Sequence, residues 1–92
     1  MSAASVYARS AVLWRRVGDE VLLAAPEDAG VYGLSIPASS LWFLLERPQT
    51  REDLTRSLAA DFEMDPGETS RHVDRLIREM ESAGWIVREH RG

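Results

Sequence analysis

The sequence predicts an α+β fold of the winged helix-turn-helix type, with a three-stranded antiparallel N-terminal sheet followed by three helices. The N-terminal half alternates short apolar segments with turn residues, which is typical of strands. The C-terminal half carries apolar residues at helical spacing. The last predicted helix runs directly into Gly84 and the apolar pair Trp85 and Ile86, an ending that is typical of winged-helix domains.

Three segments are predicted to form the sheet. Residues 11–17 and Glu20–Ala25 are rich in Val and Leu, and the Gly-Asp dipeptide between them suits a two-residue β-hairpin turn. A turn at residues 26–30 separates the second strand from the third. Residues 31–36 alternate between two faces, which is the clearest strand pattern in the chain.

Three helices are predicted after the sheet, and the last two have recognisable start signals. The first covers residues 38–46. The second follows Thr50, whose hydroxyl can cap a helix N-terminus. The third follows Asp65, has Pro66 in its first turn and stops at Gly84.

A chain of 92 residues with 45% hydrophobic residues is predicted to form one packed domain. Residues 1–10 are small and polar without a clear period and are predicted to be a flexible N-terminal arm. The domain itself is assigned to residues 11–88. Residues 89–92 are predicted to be a polar C-terminal tail.

Composition and charge exclude several classes of protein. A net charge of −4 disfavours general binding to nucleic acid, which requires a concentrated basic face. The chain has no cysteine, so it has no disulfide framework and no thiolate metal site. It has no apolar run near the ~18 residues that a membrane span needs, and no secretory signal is visible. We therefore expect a cytoplasmic protein that contacts neither nucleic acid nor membrane.

The sequence also lacks the residue patterns that are typical of enzyme active sites. The two histidines, His72 and His90, have no metal-ligand spacing, and no Gly-x-Ser-x-Gly elbow occurs. Paired acids lie at turns and helix starts, where capping explains them. We expect no catalytic residue, no metal, no cofactor and no enzymatic activity.

The third predicted strand is the first half of a candidate binding site. In a simple meander it would lie at a sheet edge, where unpaired backbone N–H and C=O groups are exposed. It carries no charged residue to protect that edge, and Gly33 permits close approach of another backbone. The alternative is that the rest of the fold covers this strand.

The last helix supplies the second half. Beside its core-facing stripe lies a shoulder that includes Thr69, His72 and Leu76. The alternatives are that Leu76 only widens the core and that His72 is a half-exposed surface residue. Strand and helix together suggest a groove in which an extended peptide adds a fourth strand. The candidate peptide-binding residues are Val31, Tyr32, Gly33, Leu34, Ser35, Thr69, His72, Val73, Arg75, Leu76, Glu79 and Met80.

Residues 34–46, 50–54 and 73–86 together resemble the PqqD-like family, and the likeness covers roughly residues 12–87. These are peptide-recognition domains of ribosomal peptide (RiPP) biosynthesis. The resemblance implies a domain that binds the leader of a precursor peptide as an added strand between the third strand and the third helix. It implies that the domain then presents the precursor to modifying enzymes and performs no chemistry itself.

Two more specific roles are open within that resemblance. Small acidic members resemble the recognition protein of lasso-peptide clusters, whose partners are a leader peptidase and a cyclase. The other role is that of a peptide chaperone working with a radical enzyme in pyrroloquinoline quinone synthesis. The chain departs from the family at His72, where an acid is frequent, and at residues 31–35, where an aromatic-Leu-Asn pattern is frequent.

Two further classes of function remain as alternatives. The scaffold suits a winged-helix DNA-binding regulator, but the acids between residues 68 and 81 oppose phosphate contacts. An inert subunit that only stabilises an enzyme by packing would tolerate charge changes at His72 or Arg75.

Overall fold

The computed structural model describes residues 4–25 and 30–91. Within these residues, two three-stranded antiparallel sheets and three helices confirm the α+β prediction. No described helix has the length and apolarity needed to cross a bilayer. The elements in chain order are β1 (Ala4–Arg9), β2 (Trp14–Val17), β3 (Glu20–Ala25), β4 (Gly30–Gly33), α1 (Ile36–Leu44), β5 (Gln49–Thr50), α2 (Arg51–Phe62), α3 (Pro66–Ser82) and β6 (Ile86–Arg91).

The first sheet is the predicted meander, with strand order β2-β3-β4. Val17 pairs with Glu20 across the two-residue turn, where Gly18 has a φ of +61°. Two predicted strand bounds are wrong. β2 begins at Trp14 rather than at residue 11, and β4 ends at Gly33 because the chain turns there into α1. Most of the turn predicted at residues 26–30 lies outside the described residues.

The second sheet, with strand order β5-β1-β6, was not predicted from the sequence. β1 and β6 pair over their whole length, from Ala4 opposite Arg91 to Arg9 opposite Ile86. The predicted flexible arm at residues 1–10 is therefore wrong for residues 4–9, and the predicted tail is wrong for residues 89–91. The domain consequently extends beyond the predicted bounds of 11–88. Residues 1–3 and 92 lie outside the described part of the chain.

Each helix begins at a side-chain cap that accepts a backbone N–H three residues on. Thr50 and Asp65 cap α2 and α3 as predicted, and Ser35 caps α1. The first helix starts earlier than predicted, at Ile36, because Pro37 occupies its first turn, where a missing N–H costs nothing. Gly84, with a φ of +81°, ends the last helical turn as predicted.

The core lies between the three helices and the inner faces of both sheets. Its largest fully buried side chain is Trp42 of α1, which packs with residues of β3, α2 and α3. The guanidinium of Arg9 in β1 donates to the Trp42 carbonyl from Nε (3.0 Å) and Nη2 (2.6 Å). Burial lowers the pKa of Arg9, against the opposing charge of Glu46. Arg9 thus ties the second sheet to the end of α1.

Candidate functional site

Strand β4 lies at an edge of the first sheet, as predicted. β3 pairs with one side of it, and no other strand among the described residues pairs with the other. Its sequence, Gly-Val-Tyr-Gly, contains no charged side chain. An uncharged edge is a ready template for another extended chain.

The hydrogen-bond pattern shows which residues of β4 face that open edge. The Leu34 N–H donates to the Val21 carbonyl at 2.9 Å, and Tyr32 lies opposite Leu23. In an antiparallel ladder, alternate residues bond to the partner strand. Leu34 and Tyr32 therefore bond toward β3, and the N–H and C=O groups of Val31 and Gly33 point outward.

The open edge ends immediately after Gly33. The next residue whose backbone would point outward is Ser35, and its carbonyl accepts the Ser39 N–H at 2.7 Å within α1. The edge therefore offers two residues, and up to four main-chain hydrogen bonds, to an added strand.

The side chains of β4 divide between the two faces of the sheet. Tyr32 lies opposite the fully buried Leu23, so its ring lies on the inner face, where it contacts Trp85 at a centroid distance of 5.9 Å. Val31 lies on the outer face and its side chain is 68% exposed. A strand added at this edge would therefore meet the Val31 side chain on the outer face and the Tyr32 side chain on the inner face.

A pocket of about 200 Å³ lies where the chain passes from β4 into α1. It is bounded by the start of α1, the end of α2 and the N-terminal half of α3. Six predicted site residues line it together with four that were not predicted. The lining residues are Ser35, Thr69, His72, Val73, Arg75 and Leu76, with Pro37, Leu58, Phe62 and Met64.

Two contacts relate β4 and the residue that follows it to α3 and the residue beyond its end. Tyr32 touches Trp85, just beyond the C-terminal end of α3, and Ser35 borders the same pocket as Thr69 and His72. The chain from Tyr32 to Ser35 thus runs from the C-terminal end of α3 toward its N-terminal half. We call the β4 edge and the pocket that begins at Ser35 together the groove.

The sequence pattern had assigned the four unpredicted pocket residues to the core or to the connections between elements. Leu58 and Phe62 share one helical stripe with a core residue of α2, which made both resemble core positions. Phe62 is nevertheless 38% exposed, because the helix ends there and Glu63 adopts a left-handed φ of 51°. The sequence signal that could have identified Phe62 as a pocket residue is its place as an apolar residue in the last turn of α2.

Three of the predicted residues belong neither to the pocket lining nor to β4. Leu34 and Met80 are 5% and 2% exposed and belong to the core. Neither side chain lines the pocket, so both lie beneath the groove, and their contact with a ligand stays a prediction. Glu79 is exposed and lies 4.0 Å from Arg75, in a shallow depression on the next turn of α3.

The polar groups at the pocket rim are held by short local contacts. The Thr69 hydroxyl donates to the Asp65 carbonyl at 2.9 Å, and the Ser35 Oγ accepts the Ala38 N–H at 3.3 Å. Arg75 Nη2 lies 3.2 Å from His72 Nδ1. The pocket therefore has an apolar floor and a polar rim.

The opposite edge of the first sheet, formed by β2, carries charged and bulky side chains. β2 carries Arg15 and Arg16, and the Arg16 guanidinium lies 4.6 Å from the Phe43 ring centroid. On the same side, the Arg9 guanidinium lies 4.8 Å from the Trp14 ring centroid. Charge and bulk of this kind protect an edge from further pairing. β4 is thus the more accessible edge of this sheet.

Helix α3 has the position of a recognition helix but not its charge. Residues 66–82 contain four acids and three arginines, a net charge of −1. Asp74 is paired with Arg51 of α2 at 3.0 Å. No group of three His, Asp or Glu side chains in the described ranges is placed to hold a metal ion.

Comparison with known proteins identifies relatives of this arrangement. Residues 20–86 match the family model of coenzyme PQQ synthesis protein D (PqqD). A search of curated proteins finds no match.

Two solved structures share the fold. One is TbiB1 in complex with the TbiA(beta) leader peptide, with a TM-score of 0.77 and 24% identity, covering 86% of this chain and 93% of that one. The other is the PqqD truncation of Methylobacterium extorquens PqqCD, a functional, stand-alone RiPP recognition element. Its TM-score is 0.71 at 16% identity, covering 89% of this chain and 88% of that one. At these identities the likeness establishes the fold alone.

Proposed function

Because this chain belongs to the PqqD family, we propose that it binds the leader of a ribosomally made precursor peptide as an added β-strand in the groove. The observation that carries the proposal is the uncharged β4 edge, which opens beside an apolar pocket on α3. Main-chain hydrogen bonds along the edge supply affinity, and the pocket supplies selectivity for a side chain.

The pocket indicates what kind of side chain the leader presents. Its floor is formed by apolar groups such as Phe62, Val73 and Leu76, and its volume of about 200 Å³ suits one large apolar side chain. Burying such a side chain contributes about 1.5–3 kcal/mol. One anchored side chain plus the strand contacts would fix the register of the leader.

We propose further that the domain performs no chemistry and hands the precursor to a leader peptidase and a lasso cyclase in the cytoplasm. Support comes from its small size and acidic charge, and from its likeness to TbiB1, which was solved with a leader peptide. The second candidate is a peptide chaperone for a radical enzyme in pyrroloquinoline quinone synthesis, which the description of the matching family model favours.

The competing role, a DNA-binding regulator, is disfavoured by the charge of α3. Contacts to DNA phosphates rely on Lys and Arg, whereas α3 has a net charge of −1 and three of its acids lie within 4.0 Å of arginine nitrogens. A salt-dependent gel shift with nonspecific DNA would favour this role instead.

Isothermal titration tests the proposal directly. The ligand is a synthetic leader of the precursor peptide encoded in the same gene cluster, and a scrambled leader of equal composition is the control. We expect a dissociation constant between roughly submicromolar and micromolar for the leader and no heat for the scrambled peptide. Absence of heat at high leader concentration, together with no competition in a fluorescence assay, would refute leader binding.

A further inference from the structure

The outer face of the first sheet presents apolar side chains to solvent. Leu23 is fully buried on the inner face, so its neighbours Leu22 and Ala24 point outward. Val31 lies opposite Ala24 and shares the outer face with it. Val17, at the turn end of β2, also lies on this face and is 53% exposed. Clustered exposed apolar side chains are typical of surfaces that bind another molecule.

Two exposed charges of opposite sign lie on the same face. Arg15 is paired opposite Leu22, and Glu20 is paired opposite Val17. The four side chains therefore occupy the corners of a four-sided figure, with the two charged residues on one diagonal and the two apolar residues on the other. Neither Arg15 nor Glu20 forms an ion pair with another of the described residues.

This arrangement of side chains is complementary to itself. A twofold axis that runs along the apolar diagonal exchanges the two ends of the charged diagonal. When two copies pack face to face about that axis, Arg15 of each copy lies against Glu20 of the other. Val17 and Leu22 lie near the axis, where each meets its own counterpart. The charge pattern therefore fits a second copy of this chain.

We propose that the outer face of the first sheet is a contact between two copies of this chain, in which Arg15 of each copy pairs with Glu20 of the other around an apolar centre formed by Val17 and Leu22. The face is small, because it consists of three strands spaced about 4.8 Å apart. Interfaces of this size are weak and transient, so we expect a dissociation constant of roughly 10–100 μM.

The contact leaves the groove accessible. The outward N–H and C=O groups of Val31 and Gly33 lie in the plane of the sheet, whereas the contact between copies is made by side chains above that plane. A pair of copies therefore presents two grooves, and its formation does not depend on the proposed leader binding.

Sedimentation velocity measures the association, at low ionic strength because salt screens exposed ion pairs. The wild type should change from monomer to dimer between about 10 μM and 1 mM. Arg15→Glu and Glu20→Arg each bring like charges together in both reciprocal contacts, so each should weaken association at least about tenfold. Arg47→Glu changes the net charge as Arg15→Glu does, at an exposed position between α1 and β5, and should associate as the wild type does.

An equimolar mixture of Arg15→Glu and Glu20→Arg is the decisive sample. In a mixed pair both contacts again join opposite charges, so association should return to within about threefold of the wild-type constant. The double variant that carries both changes should recover in the same way. Such recovery distinguishes a reciprocal contact from damage to the fold, which mixing two variants would not repair.

Four results would overturn the proposal. The first is a wild type that stays monomeric at about 1 mM. The second is equal association of Arg15→Glu and Arg47→Glu, and the third is a mixture that fails to regain association. The fourth is a wild type that is monomeric alone but binds the leader peptidase of the same gene cluster in a manner lost in Arg15→Glu, which would assign this face to that enzyme.

Discussion

Replacing Gly33 by proline tests strand addition at a single atom. The Gly33 N–H points away from β3, so its removal breaks no hydrogen bond of the sheet. It does remove one of the donors that the β4 edge offers to a leader. The fold should therefore survive a change that the proposed complex does not tolerate.

The expected loss follows from the hydrogen-bond balance. One net hydrogen bond contributes about 0.5–1.5 kcal/mol, and the leader carbonyl left without its partner costs about 1–3 kcal/mol more. The sum, about 1.5–4.5 kcal/mol, corresponds to a dissociation constant raised by roughly tenfold to a thousandfold.

Gly33→Ala is the matched control. It adds a Cβ and keeps the N–H, and the nearest atom to that Cβ would be Leu22 Cδ2 at 3.6 Å, an ordinary contact. Isothermal titration should show near wild-type affinity for Gly33→Ala and a large loss for Gly33→Pro, with thermal melts verifying that both fold. Equal affinities for the two variants would refute strand addition at this edge.

Two further predictions concern the pocket and the second sheet. Phe62→Ala should raise the leader dissociation constant by roughly 5- to 30-fold, from about 1–2 kcal/mol of lost apolar contact, whereas Asp61→Ala, outside the pocket, should leave it unchanged in the same titration. Deleting residues 1–9 removes two buried side chains of β1, Val6 and Tyr7, and should cost about 3–6 kcal/mol of unfolding free energy in denaturant melts. Deleting residues 1–3 leaves β1 intact, and equal stability of the two truncations would mean that β1 contributes nothing.

Local signals in the sequence were sufficient for the first sheet and the helices. Alternation marks β4, the Gly-Asp turn marks the hairpin, and Thr50 and Asp65 cap the helices that follow them. Each of these signals acts within a few residues, so each can be read without knowing the rest of the fold. The open edge of β4 was predictable for the same reason, since it follows from strand order in a meander.

The second sheet could not be read in this way. β1 and β6 are separated by most of the chain, and neither shows an alternating apolar pattern that distinguishes a strand from a polar terminus. What makes residues 4–9 a strand is pairing with residues 86–91 and burial of Val6 and Tyr7. Such long-range pairing leaves little local trace in one sequence.

The pocket shows a different limit. Six of its residues were predicted, five from the helical spacing of side chains in α3 and one, Ser35, from its place after the third strand. Each of these signals lies within a single element of secondary structure. Phe62 and Met64 were missed because their role depends on where α2 stops relative to α3. The left-handed turn at Glu63 sets that relation, and a single non-glycine residue with positive φ has no reliable sequence signature.

The contrast between the two edges of the first sheet explains how a winged-helix scaffold can serve a peptide. A DNA reader needs a cationic α3, but here the four acids of α3 outnumber its three arginines, and the arginines of the first sheet's described strands lie at the β2 edge. That distribution leaves β4 without charge beside an apolar pocket. A polyanion gains little from such a surface, whereas an extended apolar peptide gains main-chain hydrogen bonds and a pocket for a side chain. The placement of charge and the apolar pocket therefore support the proposed peptide ligand over DNA.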